Sequence, residues 1–144
     1  MSNTKNKILK ITAEIIYLFL IFFFCYTAIN KLINIESFRT NLIKTSLFNI
    51  ELANYFSIAV IIFEIVIVLL LIFYKKIGLF CFALTIGFFT IYISYLRFKG
   101  LYEVCGCGGI LNGLKYKYHL MINLSLIFSS FYSLLIFKKL TNEK

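Results

Sequence analysis

Four long apolar segments, each about twenty residues in length, limit what this chain can fold into. They run from about 11 to 29, 55 to 74, 77 to 96 and 119 to 137. A helix rises about 1.5 Å per residue, so a segment of this length covers the ~30 Å hydrocarbon core of a bilayer. A lone strand in lipid would leave its backbone groups unpaired. The sequence therefore predicts an all-α membrane protein with a bundle of four transmembrane helices.

The composition excludes an ordinary soluble domain. Of the 144 residues, 61% are hydrophobic and 15% are charged, against about 45–50% and about 25% in typical soluble domains. The net charge is +9, but the basic residues flank the apolar segments in short groups, an arrangement that fits lipid headgroups better than a nucleic acid. We therefore expect a single domain over residues 1–144, with the lipid bilayer as its partner and no nucleic acid.

The connections between the segments predict the topology. Lys75 and Lys76 leave room only for a short turn, so the second and third helices should form an antiparallel hairpin. The connection over 31–54 has apolar residues at near-helical spacing with charges between them, which predicts a short amphipathic helix at the interface. The side with the termini holds one more lysine or arginine than the other side, so the positive-inside rule predicts cytoplasmic termini.

The second long connection contains the most informative motif, Cys105-Gly-Cys107-Gly-Gly. Two thiols one residue apart can bind a soft metal or close a strained disulfide, and strained, exposed disulfides tend to exchange. The glycines allow unusual backbone dihedrals, and nearby basic residues such as Arg97 favour the thiolate. We favour redox exchange as the hypothesis. Binding of Cu(I) or a similar soft ion and a loop with two incidental cysteines remain as alternatives.

Three further residues are candidates for a role near this loop or inside the membrane. His119, the single histidine, follows the loop and could act as the acid–base partner of a thiol. Cys25 lies on the same side and could approach the loop, serve as a third metal ligand, or fill the core. Glu64 lies near mid-membrane, where an ionised side chain is costly, so it needs a partner from another helix. It could carry a proton or stabilise helix packing.

Polar residues also recur along one face of two segments. We expect both stripes to point into the bundle, because small and hydroxylated side chains allow helices to pack closely. They are His119, Asn123, Ser130 and Ser133 on the fourth helix, and Gly87, Thr90, Ser94 and Arg97 on the third.

Several motifs together resemble the MauE/DoxX-like membrane proteins, in particular a Bacteroidetes-like member. They are the order of four helices, the exit Tyr26-Thr-Ala-Ile-Asn-Lys-Leu32, the loop that contains Phe38, the mid-helix Glu64, and Cys105-Gly-Cys-Gly-Gly109 followed by His119-Leu-x-x-x-Asn123. The resemblance covers roughly residues 15 to 137. It implies a multi-pass protein of the bacterial cytoplasmic (inner) membrane whose cysteines face the periplasm. It also implies a role in disulfide formation or in the maturation of exported proteins.

These observations predict a membrane-embedded thiol–disulfide redox protein. We expect a periplasmic thioredoxin-like protein or an exported client as the redox partner, or a quinone between the helices. The Cys-x-Cys spacing departs from the Cys-x-x-Cys of quinone-coupled disulfide enzymes, so the sequence does not decide whether a quinone is a cofactor. A soft-metal binding module and a structural membrane subunit without catalysis are the alternatives. The predicted catalytic residues are Cys105, Cys107 and His119, and the supporting residues are Cys25, Glu64, Arg97, Asn123 and Lys31.

Overall fold

The computed structural model describes residues 2–102 and 113–142. Within these ranges the regular elements are all helices: α1 (Ser2–Ile33), α2 (Ile35–Lys44), α3 (Ile50–Phe73), α4 (Lys75–Phe98) and α5 (Tyr116–Asn142). Four of them, α1, α3, α4 and α5, are long and apolar enough to cross a membrane. The predicted fold class is therefore confirmed. Cys105 and Cys107 lie outside the described residues.

The bundle has an apolar outside and places polar groups inside. Phe22, Phe88 and Phe128 are 71%, 69% and 72% exposed, whereas Glu64 and Ser133 are fully buried. In water such a surface would be unstable, but in lipid it is the expected arrangement because the solvent itself is apolar. The distribution of side chains thus agrees with a protein that spans a bilayer.

The core between the helices is built from interlocking aliphatic and aromatic side chains. Phe24 of α1 meets Phe82 of α4 edge-on, with ring centroids 4.9 Å apart. Leu20, Leu71 and Leu79 are fully buried in the same cluster. These contacts join α1, α3 and α4 and fix the helix rotations that bring the polar residues of the site together.

A tight hairpin joins α3 to α4, as the sequence predicts. Tyr74 alone separates the two helices, and its backbone lies outside the helical region at φ −130° and ψ 68°. A Cβ on Gly78 would lie 2.5 Å from Cα of Leu71, a separation that real Cβ atoms do not tolerate. Glycine at position 78 therefore allows the two backbones to approach closely.

The predicted short helix in the first connection is α2. Its Leu42 is buried, while Glu36 is exposed and accepts a hydrogen bond from Arg39 at 2.7 Å. Arg39 also donates from Nε to Ser57 Oγ of α3 at 3.3 Å. The helix is therefore amphipathic, with its apolar side and one basic side chain directed at α3.

The two ends of the bundle carry different residues. One, here called the terminal end, gathers Lys10 of α1, Lys75 of α4 and Thr141 of α5 around one cavity. The other, here called the loop end, contains the last turn of α1, all of α2, and the residues Tyr102 and Tyr116 that flank segment 103–112.

Candidate functional site

A buried ion pair between Lys31 of α1 and Glu64 of α3 forms the centre of the site. The Lys31 Nζ donates to Oε1 of Glu64, and the two side chains are 5% and 0% exposed. An unpaired carboxylate at this depth would carry a large desolvation cost. The sequence requires a partner for Glu64 from another helix, and Lys31 is that partner.

Aromatic rings from two further helices flank the Lys31 ammonium. The Nζ atom lies 5.8 Å from the ring centroid of Phe38 in α2 and 5.0 Å from that of Phe89 in α4. A cation is attracted to the negative face of an aromatic ring, the more so where water is excluded. Four helices therefore hold a single charge in place, and α2 closes the site from the loop end.

The second carboxylate oxygen of Glu64, Oε2, is buried and has no hydrogen bond partner among the described residues. Beside it is a cavity of about 20 Å³, enough space for about one water molecule. The side chains of Phe23, Phe24, Thr27, Ile86, Phe89, His119 and Asn123 complete the lining with the ion pair. The cavity is polar on one side and suits a water that hydrogen bonds to Glu64.

His119 joins this cavity to the ends of segment 103–112. Its side chain is 3% exposed, and its Nδ1 lies 3.1 Å from the hydroxyl of Tyr102. That hydroxyl donates its proton to the Leu114 carbonyl at 2.8 Å. Since a phenol has one proton, we assign the Nδ1–H of His119 as the donor to Tyr102. In the neutral ring Nε2 is then an acceptor.

Tyr102 is fixed in its protonated state. Burial, together with the neighbouring Tyr116 phenol, raises the pKa of Tyr102 above its ordinary value. The two rings meet edge-on with centroids 5.5 Å apart. Tyr102 therefore keeps its proton at neutral pH and holds both His119 and Leu114.

Asn123 lies one turn beyond His119 and connects α5 to α4. Its Nδ2 donates to Thr90 Oγ1 at 3.1 Å, and Thr90 donates in turn to the Ile86 carbonyl at 2.7 Å. Nearer the loop end, the Ser94 and Tyr116 hydroxyls are 2.9 Å apart. The two polar stripes thus face each other across the α4–α5 interface.

Two of the predicted residues lie elsewhere. Arg97 is exposed at the end of α4, so its assignment to the inward stripe is wrong: the neighbouring Leu96 is fully buried, but the long charged side chain of Arg97 turns outward, where its charge can be solvated. Cys25 is half-buried and packs against the core cluster rather than lining the cavity. Cys105 and Cys107 are outside the described residues. The structure brings together Lys31, Glu64, His119 and Asn123.

The comparison with known families agrees with this arrangement. The family model of the methylamine utilisation protein MauE matches residues 9–136. This chain belongs to the MauE family. The resemblance inferred from the motifs is confirmed for MauE, and the four residues of the site all lie inside the matched range. No curated protein and no solved structure matches the chain.

Membership of the MauE family makes the chain a multi-pass membrane protein of a bacterial family. In this MauE-family chain, the residues described contain no group of three or more His, Cys, Asp or Glu side chains that could hold a metal ion. What its site can do is hold a charge pair away from water, order one water molecule, and present a histidine of fixed tautomer.

Sequence reasoning missed two contributors to the site. Tyr102 was not singled out, although a tyrosine beside a cysteine-bearing loop and near the single histidine is a signal for a hydrogen bond. Phe89 gave no signal, because one phenylalanine among 17 cannot be assigned to a site without the helix packing. Lys31 was named as a supporting residue but not as the partner of Glu64.

Proposed function

We propose that this MauE-family protein is a thiol–disulfide redox protein of the bacterial inner membrane. Cys105 and Cys107 would be its exchanging pair, and it would support disulfide formation or maturation of exported proteins. One observation carries the proposal: Tyr102, before the cysteine segment, and Leu114, after it, are hydrogen bonded to each other at 2.8 Å beside His119.

Covalent connectivity adds to this argument. Cys105 is three residues from Tyr102 in the sequence, and Tyr102 is the last described residue before the cysteine segment. Of the described titratable residues, His119 is in direct contact with Tyr102. This contact at the start of the cysteine segment supports His119 as the group for proton transfer to a thiol at Cys105.

The exchange proceeds in two balanced steps. The thiolate of one cysteine attacks a sulfur of the partner's disulfide; a mixed disulfide forms and the partner's other sulfur leaves as a thiolate. The second cysteine then attacks the first, which closes the Cys105–Cys107 disulfide and releases the partner as a dithiol. Two electrons and two protons pass to the partner. In reverse, the same steps oxidise the partner.

The described residues have separate roles in this proposal. His119 accepts a thiol proton at Nε2, because Tyr102 occupies its Nδ1. Arg97, exposed at the same end, raises the thiolate fraction by its positive charge. The buried Lys31–Glu64 pair and the bond from Asn123 to Thr90 fix α1, α3, α4 and α5 around the histidine. They are positioning residues.

The redox partner in the proposal is a protein disulfide or dithiol, from a periplasmic thioredoxin-like protein or an exported client. The cavity next to Glu64 measures about 20 Å³, so a quinone does not fit beside the ion pair, and the protein disulfide is the electron acceptor in the exchange. The cytoplasmic termini and periplasmic cysteines follow the positive-inside rule.

The test is a trapping experiment in cells. We expect Cys105→Ser or Cys107→Ser to accumulate a mixed disulfide with the partner, seen as a band on a non-reducing gel that reductant removes. Cys25→Ser and Cys81→Ser are the matched controls and should behave as the parent protein. The proposal fails if neither loop variant changes the redox-dependent mobility of the protein.

Two further measurements separate the alternatives. A membrane-impermeant thiol reagent applied to intact cells should label the reduced Cys105 and Cys107 from the periplasmic side. Copper in a one-to-one ratio in anaerobically purified protein, lost in both loop variants, would instead favour a soft-metal site.

A further inference from the structure

A second cavity lies at the terminal end of the bundle, away from the proposed redox site. It measures about 480 Å³ and is lined by Lys10, Glu14, Lys75, Lys76, Phe137, Leu140 and Thr141. Its volume falls within the ~300–1,000 Å³ typical of small-molecule sites. We propose that it binds the headgroup of an anionic glycerophospholipid, such as phosphatidylglycerol.

The location of the cavity places it at the membrane boundary. Tyr74 alone separates α3 from α4, and both helices are long and apolar enough to span the bilayer. The chain therefore turns back at the boundary, and Lys75 and Lys76 lie at headgroup level. A lipid phosphate can reach them while its acyl chains stay beside the apolar helix surfaces.

The charge of the cavity selects an anion. Three lysines, Lys10, Lys75 and Lys76, face the single carboxylate of Glu14. Each basic residue near a membrane surface attracts anionic lipid by about 1 kcal/mol. A headgroup with net negative charge gains from all three ammonium groups, whereas the ammonium of phosphatidylethanolamine is repelled by them. The balance therefore favours phosphatidylglycerol.

The start of α4 strengthens this preference. Its N-cap, Tyr74, makes no side-chain capping bond, and the first turn contains no acidic residue. The free N–H groups and the positive end of the dipole of this 24-residue helix attract an anion. Lys75 is held at the same place, with Nζ 5.0 Å from the Tyr17 ring centroid and 5.7 Å from that of Phe137.

The apolar part of the lining suits the rest of the ligand. Phe137 and Leu140 are half-buried and lie beside the lysines. A glycerol backbone and the first methylenes of its acyl chains can cover these side chains, whereas a free phosphate ion cannot. This feature distinguishes a lipid from a soluble anion as the occupant.

The test uses the full chain in phosphatidylcholine nanodiscs doped with phosphatidylglycerol, with lipid retention measured by native mass spectrometry. Lys10→Gln combined with Lys76→Gln should lower the retention of phosphatidylglycerol about thirtyfold, since each lysine contributes about 1 kcal/mol. Lys7→Gln combined with Lys138→Gln is the matched control, because both are exposed lysines that do not line the cavity. This control should retain the lipid.

A third variant reverses the sign of the effect. Glu14→Gln removes the one negative charge of the cavity, so it should retain phosphatidylglycerol more strongly than the parent protein. Thermal unfolding in pure phosphatidylcholine should be the same for all variants, which shows that they are folded. Unequal unfolding would call for the same comparison with Lys10→Arg and Lys76→Arg, which keep the charge and should keep the lipid.

Three outcomes would overturn the proposal. Equal loss of lipid in both lysine pairs would mean a diffuse charge effect. Equal retention of phosphatidylethanolamine and phosphatidylglycerol by the parent protein would exclude selection of an anionic headgroup. Displacement of the lipid by soluble glycerol phosphate at similar concentration would assign the cavity to a soluble anion.

Discussion

The two cavities at opposite ends of the bundle hold charge in opposite ways. At the loop end, Lys31 and Glu64 are buried, contact each other, and leave room for about one water molecule. At the terminal end, the lysines are exposed and surround a cavity of about 480 Å³. One end neutralises its charge inside the protein, and the other leaves net positive charge for its surroundings.

The physical reason for the difference is the depth of each group in the membrane. A charge surrounded by helices within the hydrocarbon span must find its counter-charge in the protein, because lipid tails supply none. A charge at the boundary is solvated by water and headgroups. Substitutions at the loop end should therefore change the stability of the fold, and those at the terminal end should change lipid binding.

Lys31→Met should have the largest effect on stability. It leaves the Glu64 carboxylate buried without its counter-charge, and loss of one partner of a buried pair costs about 3–5 kcal/mol. Thermal unfolding in detergent measures this loss. Lys76→Met, at the exposed end, is the control and should stay within about 0.5 kcal/mol of the parent protein. Similar losses in both variants would remove the contrast between the two ends.

The double variant Lys31→Met with Glu64→Leu should recover much of that loss. Two apolar side chains need no counter-charge, and such replacements of buried pairs are often neutral or stabilising. A double-mutant cycle gives the coupling energy of the two residues. A double variant less stable than Lys31→Met alone would show that each side chain contributes by itself and that the pair is not a unit.

Tyr102→Phe should have a smaller effect with two readouts. It leaves the Leu114 carbonyl and the His119 Nδ1–H without their partner, which costs about 1–3 kcal/mol if both stay shielded from water. It also removes the hydrogen bond that fixes the tautomer of His119, so formation of the mixed disulfide should slow. Tyr118→Phe, an exposed tyrosine of the same region, should leave both measurements unchanged.

Ser130→Ala should cost about 1 kcal/mol of unfolding free energy, because one buried hydrogen bond is lost. The Ser130 Oγ donates to the Leu79 carbonyl at 2.8 Å and joins α5 to α4. Ser125→Ala on the lipid-facing side of the same helix is the matched control. A loss at Ser125 as large as that at Ser130 would contradict the inward orientation of the stripe.

Glu36→Gln should have the smallest effect. Its partner Arg39 lies three residues away at 2.7 Å, but Glu36 is 80% exposed, and exposed pairs contribute about 0–1 kcal/mol. High salt should remove even this difference. A cost near that of Lys31→Met would mean that burial does not decide the strength of ion pairs in this protein.

The sequence was sufficient for the helices and for much of their orientation. The length of the apolar segments indicated four spans, Lys75 and Lys76 indicated the hairpin, and the apolar and charged residues of the connection 31–54 indicated a short helix, which is α2. The spacing of Asn123 and Ser130 predicted their inward face. Each of these features depends on neighbours within one segment, and periodicity reports such neighbours directly.

The pairing within the site could not be derived in the same way. Glu64 required a partner from another helix, and Lys31, Arg39 and Lys44 are all basic residues on that side of the membrane. The choice depends on how α1 packs and rotates against α3, and contacts between Phe24, Phe82 and Leu71 settle it. Arg97 followed the period of its stripe and was still misplaced, because a long charged side chain near a helix end can extend outward to water and headgroups, and periodicity does not report this.

The turn at Tyr74 has a mechanical consequence. Only one residue separates α3 from α4, and Gly78 packs against the Leu71 backbone. The two helices therefore cannot slide past each other by a helical turn and must move as one rigid unit. Separation of Lys31 from Glu64 would then require α1 to shift relative to the α3–α4 pair. Such a shift would also pull α1 away from α2, because Arg39 of α2 donates to Ser57 of α3 and the buried Leu42 side of α2 is directed at α3.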